Sequence, residues 1–557
     1  MRNINIPVGV SEFDKIREDG YYYVDKSGLV RSILREEAKV TLITRPRRFG
    51  KTLGMRMLES FFDIRKDSRR YFQGLEISGH TDLCKKWMNQ FPTIFFSLKD
   101  ISGLDFESAY GQLVSQISDL YKEHNYLSGS DVLDEDDQKI FKALKERKAD
   151  KVQVSRSLAT LTRMMQIYYQ KPVILLLDEY DVPVAEANEH GYYDQMLEMI
   201  KVMMSTALKD NRSLCFSVIT GCLRIAKESI FTGMNNLVAD TITDSRLNEY
   251  FGFTQQEIDR ILLDADLVDR AEDIRRWYDG YHFGKFDIYC PWDVMNYLRD
   301  LQWNPDAKPE SYWKNTSSNS IIRSFIDYAG SNITKKLEIL LEGGYVVQHI
   351  DENLTYDFLH SSEDHLWSIL YLTGYLTKVR EQELKEKLPD GMTALIIPNA
   401  EVREIFETTI KRWFDDSAKK WDRKNLFDAI WNGDSEKATR EISTLLRKTI
   451  SYHDYREDFY HAFLAGIFTG AGYMVESNRE HGEGRSDIVV YDGLDARVAV
   501  FEIKYAKKLA DMEAACDRAI RQIDTRMYAK EFEDDYDQIL CYGISFFKKR
   551  CIVKKKL

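Results

Sequence analysis

The sequence predicts a multidomain α/β protein: a mostly parallel sheet with flanking helices, then a mainly helical middle region, then a small C-terminal α/β unit. Three observations predict it. Short apolar segments alternate with helical stretches across residues 1–250. Helical periodicity with Trp and Tyr clusters dominates from Phe253 onward. After Tyr452 strand-length apolar runs return between two helical stretches. The parts are drawn at 1–250, 251–385, 386–450 and 451–557, within reach of a chain of 557 residues.

The strands of the first part are VTLIT (40–44), TIFFSL (93–98), PVILLL (172–177) and CFSVIT (215–220). Ser128 to Lys151 is charged, carries Gly and Ser, and reads as a surface excursion. The middle includes WYDGYHF (277–283), whose aromatics read as core or lid packing, with His282 packed or hydrogen-bonded. Helices such as EVREIFETTIKRWF follow across 401–450. The last part runs from a helix (456–472) through YMVES, SDIVVY and RVAVFEIKY to the helix MEAACDRAIRQIDTRMYA and the strand ILCYGISFF.

The chain is 44% hydrophobic and 30% charged, as expected for soluble globular protein. Its net charge of -12 excludes gathering nucleic acid by bulk electrostatics, so any such contact needs a local basic patch. Cys84, Cys215, Cys222, Cys290, Cys516, Cys541 and Cys551 form no CxxC pair, which leaves zinc and redox motifs without support. Such scattered thiols suit a reducing compartment. The N-terminus MRNINIPVGVSEFDK lacks the apolar core of a signal peptide, and no apolar run approaches the ~18 residues that span a bilayer. The expectation is a cytoplasmic protein without membrane contact.

The segment VTLITRPRRFGKTLGMRMLESFF passes from an apolar strand to an amphipathic helix, with Met55, Leu58, Phe61 and Phe62 on one face. Between them lies RPRRFGKT. In that context backbone N–H groups at a helix N-terminus point at phosphates. This is a P-loop, or Walker A, pattern: Lys51 reaches the β- and γ-phosphates, Thr52 offers its hydroxyl to Mg²⁺, and Gly50 permits close backbone approach. Arg45 stands where the pattern has its first glycine. Arg45, Arg47 and Arg48 are candidate phosphate contacts, and Phe49 completes the loop.

In KPVILLLDEYDVP (171–183) a buried strand delivers Asp178 and Glu179 at its carboxyl end, where open α/β sheets bind ligands. This Walker B-type pair assigns Asp178 to Mg²⁺ and Glu179 to the attacking water. A third strand ends at Thr220, followed by Arg224. Thr220 reads as a γ-phosphate sensor and Arg224 as a stabiliser of transferred charge, against a helix-start Thr with a solvated Arg. Asp25 and Ser27 read as helix caps.

These motifs, with YYYVDKS (21–27), TGCLRIAKESIFTGMNNL (220–237), WYDGYHFG (277–284), YWKNTSSNS (312–320) and LYLTGYLT (370–377), resemble a family of bacterial AAA-like ATPases fused to a PD-(D/E)XK nuclease-like domain. The resemblance covers most of the chain and includes the Arg at the first loop position. It implies a P-loop NTPase sheet followed by a helical lid or winged-helix-like region. Ring assembly is common among AAA-like proteins, but the chain carries no oligomer signal of its own.

In the C-terminal unit Asp487 begins one strand, after the Gly482-Glu483-Gly484 turn, and Glu502 and Lys504 lie on the next. Alternation puts Glu502 and Lys504 on one face and Phe501 and Ile503 on the other. A hairpin brings Asp487 beside Glu502. Two carboxylates and a lysine suit phosphodiester hydrolysis assisted by Mg²⁺ or Mn²⁺, with Lys504 orienting water or offsetting developing charge. The set resembles the D…E-x-K core of PD-(D/E)XK nucleases, of restriction-endonuclease-like fold. That resemblance makes Glu457 and Gln522 accessory candidates, and Glu476 is another possible ligand. KKRCIVKKK (548–556) reads either as a phosphate-backbone contact or as a solvated edge strand.

Together these features predict an ATP-binding, ATP-hydrolysing protein coupled to metal-dependent cleavage of nucleic acid. The alternative is a nucleotide-dependent switch or binding module whose C-terminal domain holds a partner without cutting it.

Overall fold

The computed structural model describes residues 4–556 except 225–229, 232–236, 314–321, 323–330, 353–362, 385, 421–423, 449–459, 461–463, 466, 470–472, 482–483, 494 and 548–549. The β-branched and leucine-rich runs form β1 (Val40–Thr44), β2 (Thr93–Ser97), β3 (Val173–Asp178), β4 (Leu214–Gly221) and β5 (Leu237–Asp240). They make one sheet in the order β2-β3-β4-β1-β5, parallel at every junction. β1 and β3 are buried along their whole length, which is why they read as continuous apolar runs instead of alternating ones.

Helices cover this sheet. Lys51–Phe62 buries Met55, Leu58, Phe61 and Phe62. The charged stretch 128–151 is more than a surface excursion: it forms the helix Glu135–Lys145, and Leu133, Phe141 and Leu144 join the main core. The acidic residues mask that contribution in the sequence because they occupy the solvent side of an amphipathic helix.

The following stretch is mainly helical, including Gln255–Ala265, Ala271–Tyr278, Pro291–Trp303 and Glu363–Leu372. It also holds two small antiparallel sheets. One joins β6 (Phe253–Thr254), β7 (Tyr281–Phe283) and β8 (Phe286–Tyr289) in the order β6-β8-β7. The other joins β9 (Val346–His349), β10 (Thr377–Lys378) and β11 (Met392–Ile396) in the order β10-β11-β9. Strands this short leave too little alternation for sequence periodicity to reveal.

The chain divides into two units, 1–318 with 345–404 and 319–344 with 405–557. The second unit centres on β12 (Met474–His481), β13 (Gly484–Asp492), β14 (Arg497–Tyr505), β15 (Gln538–Phe547) and β16 (Arg550–Lys555), in that order. Only β14 and β15 pair in parallel, and the helix Met512–Thr525 makes the crossover between them, as parallel pairing requires. One sheet face packs on the helices Lys424–Trp431 and Ser435–Lys448, and the other on Ile523, Tyr528 and Phe532.

No described helix is long and apolar enough to cross a membrane.

Candidate functional site

In the first unit the loop after β1 turns sharply into the helix Lys51–Phe62. Gly50 makes the turn with φ +84°, a conformation that costs side-chain-bearing residues about 1 kcal/mol or more. Lys51 is buried, and its Nζ donates to the carbonyls of Arg45 (3.1 Å) and Pro46 (2.9 Å). It stands 3.8 Å from Glu179 Oε1. Burial alone would lower its pKa, but Cys222, Glu179, Asp181 and Asp178 outweigh that and raise it. Cys222 Sγ is 3.6 Å away, and burial pushes its thiol up to about 12.

Asp178, at the end of β3, is fully buried. Its Oδ2 accepts from Thr52 Oγ1 (2.9 Å) and its Oδ1 from Thr220 Oγ1 (2.6 Å). Three segments, 126 and 42 residues apart in the chain, thus meet on one carboxylate. Burial, then the neighbouring Glu179 charge, raises the Asp178 pKa, while the two hydroxyls hold it back. A hydroxyl and a carboxylate form a hard-oxygen pair that fits Mg²⁺. Glu179 sits in the left-handed region at φ +54°, the kind of backbone outlier that clusters at functional sites.

The loop's other residues are anchored from afar. Arg45 is wholly buried and does not face a phosphate site. Its guanidinium donates to Thr44 O (2.8 Å), Asp240 O (2.9 Å) and Asp240 Oδ1 (2.5 Å). Phe49 places its ring against Tyr281 (4.9 Å, edge-on) and Phe283 (5.1 Å). That leaves its backbone, not its side chain, for any nucleotide contact. Arg48 stacks over Trp292 at 4.7 Å. Gly374, of the LYLTGYLT motif, packs so closely that a Cβ there would lie 2.9 Å from Pro46 Cβ. The long aromatic motifs downstream therefore hold the loop in place.

Asp181, the last acid of DEYD, was not singled out by the sequence reasoning. Its Oδ2 accepts from the backbone N–H groups of Cys222 and Leu223, both at 3.0 Å. It fixes the chain just after Thr220. Among the described residues no hydrogen bond or ion pair joins Arg224 to Lys51, Thr52 or Asp178. Asp25 and Ser27 do not cap the helix that follows them. Asp25 Oδ2 accepts from Glu76 N (2.6 Å) and Ser27 Oγ from Ile77 N (3.1 Å), so they tie down a short turn 50 residues on. His282 Nδ1 donates to Asp287 Oδ1 at 2.6 Å.

A cavity of about 340 Å³ opens beside the loop, within the usual range for small-molecule sites. Gly50, Lys51, Thr52 and Glu179 are among its polar lining, and Val8, Phe253, Trp292 and Met295 among its apolar lining.

A second buried carboxyl pair adjoins the loop. Asp293 and Glu401 are both fully buried. Burial raises both, Glu401 most, and Arg48 is the nearby cation. Glu401 Oε1 accepts from Trp313 N at 2.8 Å. No sequence spacing signals this pair.

In the second unit the register Ile488↔Phe501 sets Asp487 opposite Glu502 across β13 and β14. Asp487 lies within β13, not at its start. Its Oδ2 accepts from Ile503 N (2.7 Å), and Glu502 Oε1 accepts from Lys504 Nζ (2.7 Å). The Glu502 side chain is 1% exposed and that of Lys504 24%, and Asp487 is half-buried. Gln522 Nε2 is 3.4 Å from Tyr528 OH. Burial raises the Tyr528 pKa, with the Gln522 amide opposing and the Glu502 and Asp487 charges adding. Tyr528 thus belongs to this cluster, although the sequence reasoning passed over it.

Glu476 is drawn elsewhere: its Oε2 accepts from Tyr491 OH at 2.7 Å. Glu457 and the Gly482-Glu483 turn lie outside the described residues. Among the described residues no three His, Cys, Asp or Glu side chains gather to hold a metal alone. Two opposed carboxylates still fit Mg²⁺, which keeps several waters and needs one or two carboxylates. Arg550–Lys555 of the basic tail form an edge strand, β16, while Lys548 and Lys549 lie outside the described residues. Lys554 pairs with Glu513 and Asp517, both at 2.6 Å, and Lys556 with Asp524 at 2.5 Å.

Residues 7–231 match the family model described as predicted AAA-ATPase. Residues 455–556 match that of the PD-(D/E)XK nuclease superfamily. Over 562 aligned residues the chain is 22% identical to a protein of Azotobacter chroococcum mcd 1 described as "Uncharacterized protein in vnfD 5'region", with 98% of this chain and 97% of that one covered.

Proposed function

From a chain that carries an AAA-ATPase-like domain and a C-terminal PD-(D/E)XK nuclease superfamily domain, we propose ATP-coupled processing of nucleic acid. The observation that carries the first half is the convergence of Thr52 and Thr220 on Asp178 beside Lys51. Lys51 would place its ammonium on the β- and γ-phosphate oxygens. Gly50 and the helix N-terminus supply backbone N–H groups. Glu179 would orient water and accept its proton. Mg²⁺, held by Thr52 and Asp178, would neutralise phosphate charge.

In the C-terminal domain Asp487 and Glu502 would hold Mg²⁺ or Mn²⁺, which supplies Lewis-acid activation of water. Lys504 would orient that water and offset charge growing on phosphorus, with Gln522 and Tyr528 alongside. Its 2.7 Å bond to Glu502 keeps it in place for this. The deep burial of Glu502 favours a second reading, a switch whose C-terminal domain binds without cutting. The free cysteines suit a reducing compartment such as the cytoplasm, and both sites suit Mg²⁺.

The test is cleavage of labelled single- and double-stranded DNA and RNA with Mg²⁺ or Mn²⁺, with and without ATP, beside Lys51→Ala and Glu502→Ala. Cutting that disappears in Glu502→Ala and responds to ATP only with Lys51 present is the expected result. ATP hydrolysis without any cutting would favour the switch.

A further inference from the structure

At the C-terminal edge strand Lys554 and Lys556 are engaged by Glu513, Asp517 and Asp524. A basic cleft of about 480 Å³ lies instead on the first unit. It opens where β1 and β4 begin, at Lys39, Cys215 and Phe216, the end of the sheet opposite the phosphate loop. Its walls are the helices Gly28–Glu36 and Thr81–Trp87.

Arg31, Arg35, Lys39 and Lys86 line it, against one acid, Glu37. Arg31 is paired with Glu76 at 2.7 Å. Lys39 Nζ donates to the carbonyls of Leu214 and Cys215, which fixes the ammonium without cancelling its charge. Among the described residues, neither Arg35 nor Lys86 has a carboxylate at ion-pairing distance. In a chain of net charge -12 such an excess is local, not a consequence of composition.

Trp87 lies in the wall of the same cleft. It stacks on Phe91 (4.6 Å, 22°) and meets Phe62 and Phe216 edge-on. Lys86 Nζ stands 5.4 Å from its ring centroid. A rigid indole beside unpaired cations is the combination that binds single-stranded nucleic acid, with phosphates on the cations and a base on the ring. A simple anion would have no use for the indole. Resting on the nucleic-acid reading above, we propose that this cleft holds single-stranded nucleic acid.

The probe is fluorescein-labelled oligothymidylate, titrated by anisotropy into the full chain carrying Glu502→Ala to prevent cutting. Arg35→Glu with Lys86→Glu changes two exposed side chains and leaves ATP binding unaltered. It should weaken binding at least tenfold and flatten the salt slope by roughly 1.4, two phosphate contacts at about 0.7 each. Trp87→Leu should weaken binding about tenfold without changing the slope. Undiminished affinity in the double charge reversal overturns the proposal. So does an absence of binding to the parent chain, or polyphosphate competing as well as the oligonucleotide while Trp87→Leu is silent. The proposed cleavage activity stands or falls separately. Cutting that persists while the charge reversal changes nothing refutes the cleft alone. Charge-dependent binding without cutting in the otherwise unaltered chain supports the cleft and refutes the nuclease.

Discussion

Replacing Arg45 by Ala should remove stability and leave nucleotide affinity nearly intact. Arg45 and Asp240 are both inaccessible to solvent. The guanidinium donates to Asp240 Oδ1, the Asp240 carbonyl and the Thr44 carbonyl together. Breaking a buried ion pair from one side leaves the other charge without compensation and costs about 3–5 kcal/mol. Arg246 Nε, 3.2 Å from Asp240 Oδ2 and 40% exposed, retains part of that compensation, which places the expected loss near the lower end, about 3 kcal/mol. Adding Asp240→Asn removes the stranded charge and should recover about 1–2 kcal/mol, a coupling that a double-mutant cycle isolates. Urea unfolding followed by circular dichroism reads the stability, and calorimetric titration with ATP, below the variant's transition, reads the affinity. A tenfold loss of affinity, about 1.4 kcal/mol, with stability unchanged would refute the reasoning and return Arg45 to the phosphates.

Three further outcomes are expected. Phe49→Ala empties a fully buried site between Tyr281 and Phe283, and should cost about 3–5 kcal/mol and weaken ATP binding through a loosened loop; unchanged melting and affinity would show that the ring anchors nothing. Asp181→Ala strands two buried N–H groups, at about 1–3 kcal/mol each, whereas Asp181→Asn keeps an acceptor and should lose less; equal losses would contradict this. Glu401 has a folded pKa well above its ordinary 4.5, from burial and then the Asp293 charge. The folded state therefore holds a proton that the unfolded chain releases, and stability falls as pH rises above that ordinary value. Glu401→Gln, which keeps the acceptor for Trp313 N, should flatten that decline above about pH 4.5; an unaltered slope in thermal unfolding would remove Glu401 as its source.

The strand–loop–helix around Lys51, the acids at the end of β3 and the alternation of Asp487, Glu502 and Lys504 were legible because they are local. Apolar runs set the strands, a glycine sets the turn, and the two-residue strand period sets which side chains share a face. The sequence by itself determined these elements and the order in which they follow. Only the tertiary structure decided their partners. Arg45 turned from a candidate phosphate ligand into the partner of Asp240, 195 residues away. Glu476 went to Tyr491, the terminal lysines to acids of the crossover helix, and Tyr528 joined the Asp487–Glu502 cluster. In each case a charged or polar side chain could have faced water or a ligand on local grounds. Burial decided otherwise, because a polar group removed from water must find a partner, and that partner is supplied by whichever distant segment the packing brings against it.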